Sequence, residues 1–324
     1  MRRCSLVLAL LALVSTGCGA AQREAPSASP APGPSASAQD FPTPASGETL
    51  TDLVGDMPEG PILAPAVSLL QKGPNRVGFA LFDAARTQIS GAQVALYTAR
   101  PDGTRVRGPF VARSESLAVK SAFASRTTTE DPDSAKSVYV AETPFTRGGP
   151  VTVTALVRLD GRVMKTRSET LTVGSKGATP PGVGDRAIPI DTETVATAGG
   201  DISRIDTRVP PALDLHRENL RDVLGKKPVV LVFATPQLCQ SRVCGPVVDV
   251  ALQVKSAVGD SVAVVHQEVF KDNKVEEGVR PQLVAWRLAT EPWTFVIDRD
   301  GIVRSRFEGA LSVGELQRAV AAVE

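Results

Sequence analysis

The net charge is small, and aromatic side chains and histidine are scarce, in this chain of 324 residues. The formal net charge is +1, aromatic residues make up 4%, and no basic cluster or aromatic platform interrupts the sequence. A protein that binds nucleic acid needs such features, so nucleic acid is excluded as a partner. With only two histidines in the chain, we predict no metal site and no cofactor.

Cysteine is also rare, and its four positions differ in kind. Cys4 lies in an apolar leader and Cys18 directly after it. Cys239 and Cys244 are therefore the two thiols left for folding or chemistry once the chain is processed. They are five residues apart and follow an apolar run.

The first 17 residues are typical of a signal peptide. Arg2 and Arg3 precede the apolar run Leu6 to Val14, and the small residues before Cys18 resemble a bacterial lipobox. We therefore expect a lipid on Cys18 that anchors the chain to the cell membrane, on its extracytoplasmic face. An ordinary cleaved signal with an incidental cysteine and a transmembrane helix are the alternatives, but the run is too short to span about 30 Å of hydrocarbon.

Two domains are predicted behind this leader, since the length exceeds that of one typical domain. Residues 18–58 are rich in Ala, Pro and Ser and are predicted to be a disordered tether. Residues 60–175 carry short alternating apolar runs separated by turn signals such as Asp160-Gly161, which favours an antiparallel immunoglobulin-like β-sandwich. This domain holds no cysteine or histidine, so a spacer or docking role is favoured.

Residues 182–324 show a different order of elements. Val229 to Phe233 is a continuous apolar run that predicts a strand buried on both faces. The cysteines follow it, and a helix is predicted to run from Pro246 to Gly259. Helices near 215–224 and 282–288, a strand at 261–265, a hairpin around Asp300-Gly301 and a capped final helix at Ser312 complete the pattern.

This order resembles the thioredoxin-like redoxin family, an α/β fold. The best markers are the apolar strand that leads into Thr235-Pro236 and Cys239, and the run from Glu291 to Asp298. By this resemblance Pro292 is the cis proline that faces the active-site cysteines. The resemblance implies thiol-disulfide exchange at Cys239 and Cys244 through a mixed disulfide, with Cys239 attacking and Cys244 resolving.

The cysteine pair departs from the family's motifs, so alternatives stay open. Cys244-Gly245-Pro246-Val247 matches three of four positions of the thioredoxin Cys-Gly-Pro-Cys motif. A peroxiredoxin-like peroxidase is less favoured because Trp293 stands where those enzymes carry arginine. A copper chaperone is disfavoured because no histidine follows His266. A redox-inert binding or scaffolding lipoprotein, with Cys239 and Cys244 as a structural disulfide, is the competing class.

Two further expectations concern side chains near the pair. A thiol near a helix N-terminus and beside a cation has a lowered pKa. Arg242 lies between the cysteines, so it is predicted to be the cation that lowers the pKa of the attacking thiol. His216 and His266 are expected to be solvated or hydrogen-bonded, although His266 could act as a base. The predicted partners are protein thiols or disulfides, and the substrate and the direction of electron flow stay open.

Overall fold

The computed structural model describes residues 36–324. The predicted signal peptide, residues 1–17, and the predicted lipid site at Cys18 lie outside the described residues. Within residues 36–324, no helix combines the length and the apolar character that crossing a bilayer requires. The described chain contains two separate sheets.

The first sheet has eight strands and is entirely antiparallel. Its path is β1-β2-β5-β4-β3-β6-β7, and β8 pairs with the first half of β6. Bridges from Glu59 to Lys165 and from Leu70 to Val173 bring its two ends together, so the sheet curls. Its strands are β1 (Ile62–Pro65), β2 (Arg76–Phe82), β3 (Gln93–Ala99), β4 (Arg107–Ser116), β5 (Ser137–Glu142), β6 (Gly149–Leu159), β7 (Arg162–Lys165) and β8 (Glu169–Val173).

Successive side chains of a strand point to opposite faces of the sheet, and in this sheet both faces carry apolar residues. In β3, Val94 and Leu96 point into the core inside the curl. Ala95 and Tyr97 point outward, where Phe41, Leu50 and Leu53 cover them. The last two belong to the short helix α1 (Leu50–Val54), which Thr49 caps. Residues 36–58 therefore differ from the predicted tether: they pack on the sheet, because their few large apolar side chains find an apolar outer face.

The second sheet has four strands in the order β10-β9-β11-β12. Strand β10 runs parallel to β9, while β11 is antiparallel to both β9 and β12. The strands are β9 (Val229–Phe233), β10 (Ala263–Gln267), β11 (Trp293–Ile297) and β12 (Val303–Glu308). Helical segments pack on both faces of this sheet.

Strand β9 is buried on both faces, as its apolar run predicts. Val230 and Val232 face one core with helices α4 (Cys244–Val258) and α6 (Val313–Ala321). Val229, Leu231 and Phe233 face the other core, with Trp286. Each face needs its own apolar residues, which explains why no polar residue interrupts the strand.

The remaining helices are shorter than predicted. A 3-10 turn (Leu213–His216) and helix α3 (Leu220–Val223) replace the single helix expected near 215–224, because Asn219 caps a new start inside it. Helix α5 (Pro281–Ala285) ends before Leu288. The other helical pieces are α2 (Arg126–Thr129) and 3-10 turns at Ala38–Asp40, Ser121–Phe123, Ile202–Arg204, Lys271–Asn273 and Val275–Glu277.

The connection between β4 and β5, residues 117–136, reaches across to the second sheet. We call it the β4–β5 insertion. Its Ser125 is fully buried and donates to Asp249 of α4 through both its backbone N–H and its hydroxyl, each at 3.1 Å. Val119 packs on the core beside α4. The insertion therefore binds the two sheets together over the helix that starts at Cys244.

Charged contacts join the sheets at a second place. The buried carboxylate of Glu315, at the start of α6, accepts from Arg76 at 2.8 Å and from Arg113 at 3.0 Å. Both arginines come from the first sheet. The predicted domain ranges, 60–175 and 182–324, contain the first and second sheets respectively, and their exact boundaries stay a prediction.

Candidate active site

The two cysteines lie at the edge of the second sheet where β9 ends. Strand β9 ends at Phe233, a ten-residue loop follows (234–243), and α4 begins at Cys244 itself. Cys239 is 5% exposed and Cys244 is completely buried. Both are free thiols in this structure. The sequence thus brings the pair together at the N-terminus of a 15-residue helix, where backbone N–H groups and the helix dipole favour a negative charge.

Cys239 has the surroundings of a thiolate. Its pKa is lowered to about 6, first by a hydrogen bond from the Cys244 thiol and then, against the opposing effect of burial, by the Ser241 hydroxyl. The Ser241 oxygen lies 3.2 Å from the Cys239 sulfur. Backbone N–H groups of Val243 and Cys244 add to this effect. At neutral pH Cys239 is therefore mostly ionised.

Cys244 has the opposite surroundings. Burial raises its pKa well above the ordinary range, and the neighbouring Cys239 raises it further. Cys244 therefore stays protonated and donates its hydrogen to the Cys239 sulfur. One thiol is ready to attack, and the other keeps its proton until the first has reacted.

Arg242 pairs with the β4–β5 insertion. Its guanidinium lies 3.1 Å from Asp131 and is half-exposed. The groups that lower the Cys239 pKa are hydrogen-bond donors on the loop and on α4. The role of Arg242 as the tuning cation stays a prediction. A backbone with φ of 59° at Arg242 turns the chain so that its side chain points to the insertion.

Pro292 directly precedes β11, the neighbour of β9, and its bond to Glu291 is cis, as the resemblance implies. Sequence reasoning missed Glu291 itself. Burial raises the pKa of Glu291, and the charge of Cys239 raises it further. Glu291 in turn raises the pKa of Cys244. The only sequence signal for Glu291 is its place next to Pro292.

The β4–β5 insertion covers the cysteine end of α4. A Cβ atom added to Gly245 would lie 2.9 Å from the Thr128 hydroxyl, so a larger residue at this position would force the Thr128 side chain or the helix to shift. The backbone N–H of Ala135 donates to the Arg242 carbonyl at 3.1 Å. These contacts explain why Cys244 is buried although it begins a helix.

A cleft of about 470 Å³ opens between the insertion and the cysteine loop. The insertion contributes Arg126, Glu130 and Asp131, and the loop contributes Pro236, Gln237 and Arg242. Charged side chains of both signs therefore line the cleft.

The two histidines meet below the same edge of the sheet, and neither is solvated. His216 and His266 are completely buried, 3.1 Å apart between Nε2 and Nδ1, and both lie against Asp206. Burial lowers the pKa of His266 to about 4, so its ring is neutral. Both rings are hydrogen-bonded, as one of the two expectations for them stated. Their meeting could not be predicted, because Asp206 and His216 lie in a segment without a regular apolar pattern.

Glu268 is another buried group that sequence reasoning missed. It accepts from the Thr235 hydroxyl at 3.0 Å, and burial raises its pKa to about 8. Thr235 is the second residue of the cysteine loop. A buried acid therefore lies behind the loop, at the residue that follows β10.

Comparisons with known proteins add little to this geometry. No family model and no curated protein matches the chain. Among solved structures, the chain is similar to a thiol:disulfide interchange protein of the thioredoxin family from Chlorobium tepidum TLS. The two are 16% identical over 46% of this chain and 99% of that chain, with a TM-score of 0.30. Such a score does not establish a shared fold.

Proposed function

We propose that this chain is a thiol-disulfide oxidoreductase that exchanges disulfides through Cys239 and Cys244. The observation that carries the proposal is the opposite surroundings of the two sulfurs. Hydrogen bonds lower the pKa of Cys239 to about 6, whereas burial raises that of Cys244. A structural pair has no need of this asymmetry, while exchange needs one thiolate and one protonated partner.

The reaction follows from these two states. The Cys239 thiolate attacks a disulfide of the substrate protein, forms a mixed disulfide and releases one substrate thiolate, which takes up a proton. Cys244 then loses its proton and attacks the Cys239 sulfur. The Cys239–Cys244 disulfide forms, the second substrate thiol leaves, and two electrons have passed to the substrate. Run in reverse, the same steps oxidise a dithiol, so the partner class is protein thiols or disulfides.

Strand order supports the two fold assignments that accompany this proposal. The path β10-β9-β11-β12, with a parallel β9–β10 pair and the cysteines after β9, agrees with a thioredoxin-like unit. In the first sheet, β1-β2-β5-β4 and β3-β6-β7 reproduce the A-B-E-D and C-F-G orders of an immunoglobulin-like sandwich. Here the pairing of β3 with β4 joins the two halves.

Trapping of the mixed disulfide tests the function. With Cys244→Ser the resolving step is lost while the attacking thiolate remains, so the protein should accumulate a mixed disulfide with a partner or a model thiol. Cys239→Ser is the matched variant and should trap much less. Products are counted by non-reducing electrophoresis and intact mass.

Two other outcomes of the trapping experiment would change the assignment. Trapping by Cys239→Ser alone would reverse the two roles. If neither variant traps, and the oxidised pair in the folded protein resists millimolar dithiol, the competing class is correct: a binding or scaffolding protein with a structural disulfide.

Membrane attachment through Cys18 is proposed on the leader sequence alone. Cys18→Ser should remain unprocessed or be released from the membrane, because the lipid acceptor is gone. Fractionation followed by immunoblotting measures this. A variant that sediments with membranes at the wild-type size would disprove the lipid anchor.

A further inference from the structure

Three buried side chains that can ligate a metal ion meet beside the second sheet, and none of them belongs to the cysteine site. Asp206 and His216 come from the loop over the sheet edge, and His266 comes from β10. The His216 Nε2 atom lies 3.1 Å from His266 Nδ1 and 3.4 Å from Asp206 Oδ2, and His266 Nδ1 lies 3.9 Å from Asp206 Oδ1. All three side chains are completely buried.

The hydrogen bonds of the rings orient the other two nitrogens. His266 Nε2 lies 3.0 Å from the Ala234 carbonyl, and His216 Nδ1 lies 3.4 Å from the Glu193 carbonyl. A carbonyl only accepts, so each of these nitrogens carries a hydrogen. His216 Nε2 and His266 Nδ1 face each other and the Asp206 carboxyl group. The potential ligand atoms of the three side chains lie within 4.8 Å of one another, a spacing that one metal ion can bridge.

Backbone donors hold the Asp206 carboxylate in place. Its Oδ1 accepts from the N–H of Arg208 at 2.8 Å, and its Oδ2 accepts from the N–H of Ala212 at 2.7 Å. All three side chains are thus oriented by a hydrogen bond to the backbone on the side away from the triangle. Metal ligands in proteins are oriented in this way by their outer partners.

An unpartnered polar atom lies beside the triangle. The Glu268 Oε2 atom is fully buried without a hydrogen-bond partner and lies 3.6 Å from His266 Nε2. The Asp206 carboxyl group is completely buried as well. A buried carboxylate is stable when a positive charge compensates it.

We propose that Asp206, His216 and His266 form a binding site for Zn²⁺. Zinc–nitrogen bonds of about 2.0–2.1 Å in a tetrahedron separate the ligand atoms by about 3.3 Å, close to the spacing here. The three protein ligands fill three of the four positions. Two imidazoles and one carboxylate suit Zn²⁺ better than Ca²⁺ or Mg²⁺, which prefer oxygen ligands. The ion would tie the loop to β10 and, through the Ala234 carbonyl, would steady the start of the cysteine loop.

Metal retention tests the site in the full chain. The protein carries Cys239→Ser and Cys244→Ser so that the two thiols of the cysteine loop and α4 cannot bind the ion, and it has no histidine tag. It is unfolded and refolded with Zn²⁺ or Co²⁺ because the site is buried, and it is then dialysed. We expect about one ion per chain by elemental mass spectrometry. Co²⁺ should give visible absorption bands of a tetrahedral complex, and Zn²⁺ should raise the melting temperature.

Ligand variants in the same background decide the assignment. Asp206→Asn, His216→Gln and His266→Gln should each retain at least about tenfold less Co²⁺ and lose the visible bands. Asp214→Asn, an exposed carboxylate in the same loop, is the control and should retain the ion. If the parent protein retains no more Co²⁺ than Asp206→Asn after refolding, the triangle holds a shared proton and the proposal is wrong. This result is independent of the trapping experiment, because Cys239 and Cys244 are both replaced in this protein.

Discussion

Replacing Asp249 with alanine should lower the free energy of unfolding by about 3–5 kcal/mol, because it leaves buried partners without their acceptor. Asp249 lies on α4 and is 1% exposed. Its Oδ1 accepts from Arg208 Nε at 2.8 Å, and its Oδ2 accepts twice from Ser125 of the insertion. The side chain of Arg208 is itself only 3% exposed. A buried guanidinium without its carboxylate is one of the costliest defects in a protein interior.

Asp214→Ala is the matched control for this prediction. Asp214 also pairs with an arginine, Arg217 at 2.5 Å, but both side chains are about half-exposed. Exposed pairs contribute 0–1 kcal/mol at most, so the stability should change by less than about 1 kcal/mol. Urea unfolding followed by the fluorescence of Trp286 and Trp293, which both lie in the second sheet's core, measures both variants. Equal small losses for the two variants would mean that the insertion does not stabilise α4.

Asp249→Asn separates charge from hydrogen bonding at the same place. The amide keeps an oxygen that can accept from Ser125, but it loses the charge that compensates Arg208. We expect a smaller loss than for alanine. A loss as large as that of alanine would show that the ion pair with Arg208 alone accounts for the effect.

The second sheet could be predicted from the sequence in most of its parts. The run from Val229 to Phe233 reveals β9 because both faces are buried and every residue is apolar. Gly259 ends α4 and Ser312 caps α6, both by local backbone chemistry.

Strand β4 of the first sheet could not be predicted, because arginine, glycine, proline and serine break its apolar pattern. Tertiary pairing with β3 and β5 makes it a strand all the same.

The candidate site could be predicted in part only. The positions of Cys239, Cys244 and Pro292 follow from local sequence and resemblance. The contacts of Ser125 with Asp249 and of Thr128 with Gly245 join residues more than a hundred positions apart, and nothing local indicates them. The same holds for Asp206, His216 and His266. Arg242 is predicted to tune the site because it lies between the cysteines in sequence, whereas its charged partner in space is Asp131, which the sequence does not indicate.

Alkylation of the reduced protein should modify Cys239 about a hundredfold faster than Cys244 at pH 7. A thiol with a pKa of about 6 is roughly nine-tenths ionised at that pH, whereas one above the ordinary range is under about 1% ionised. Only the thiolate reacts. The rate at Cys239 should fall as the pH is lowered through about 6, because the sulfur then takes up a proton. Iodoacetamide labelling with peptide mass spectrometry measures each cysteine separately.

The origin of the low pKa can be tested by two variants with opposite expectations. Cys244→Ala removes the hydrogen bond that contributes most to the shift, so the midpoint should move upward towards about 8.5, the value of an ordinary thiol. Arg242→Ala should leave the midpoint of the Cys239 titration at about 6, because the Arg242 guanidinium pairs with Asp131 instead. If Arg242→Ala raised the midpoint and Cys244→Ala did not, the cation next to the cysteines in sequence would be the tuning group after all. The pair would then lack the mutual hydrogen bond on which the order of attack and resolution depends.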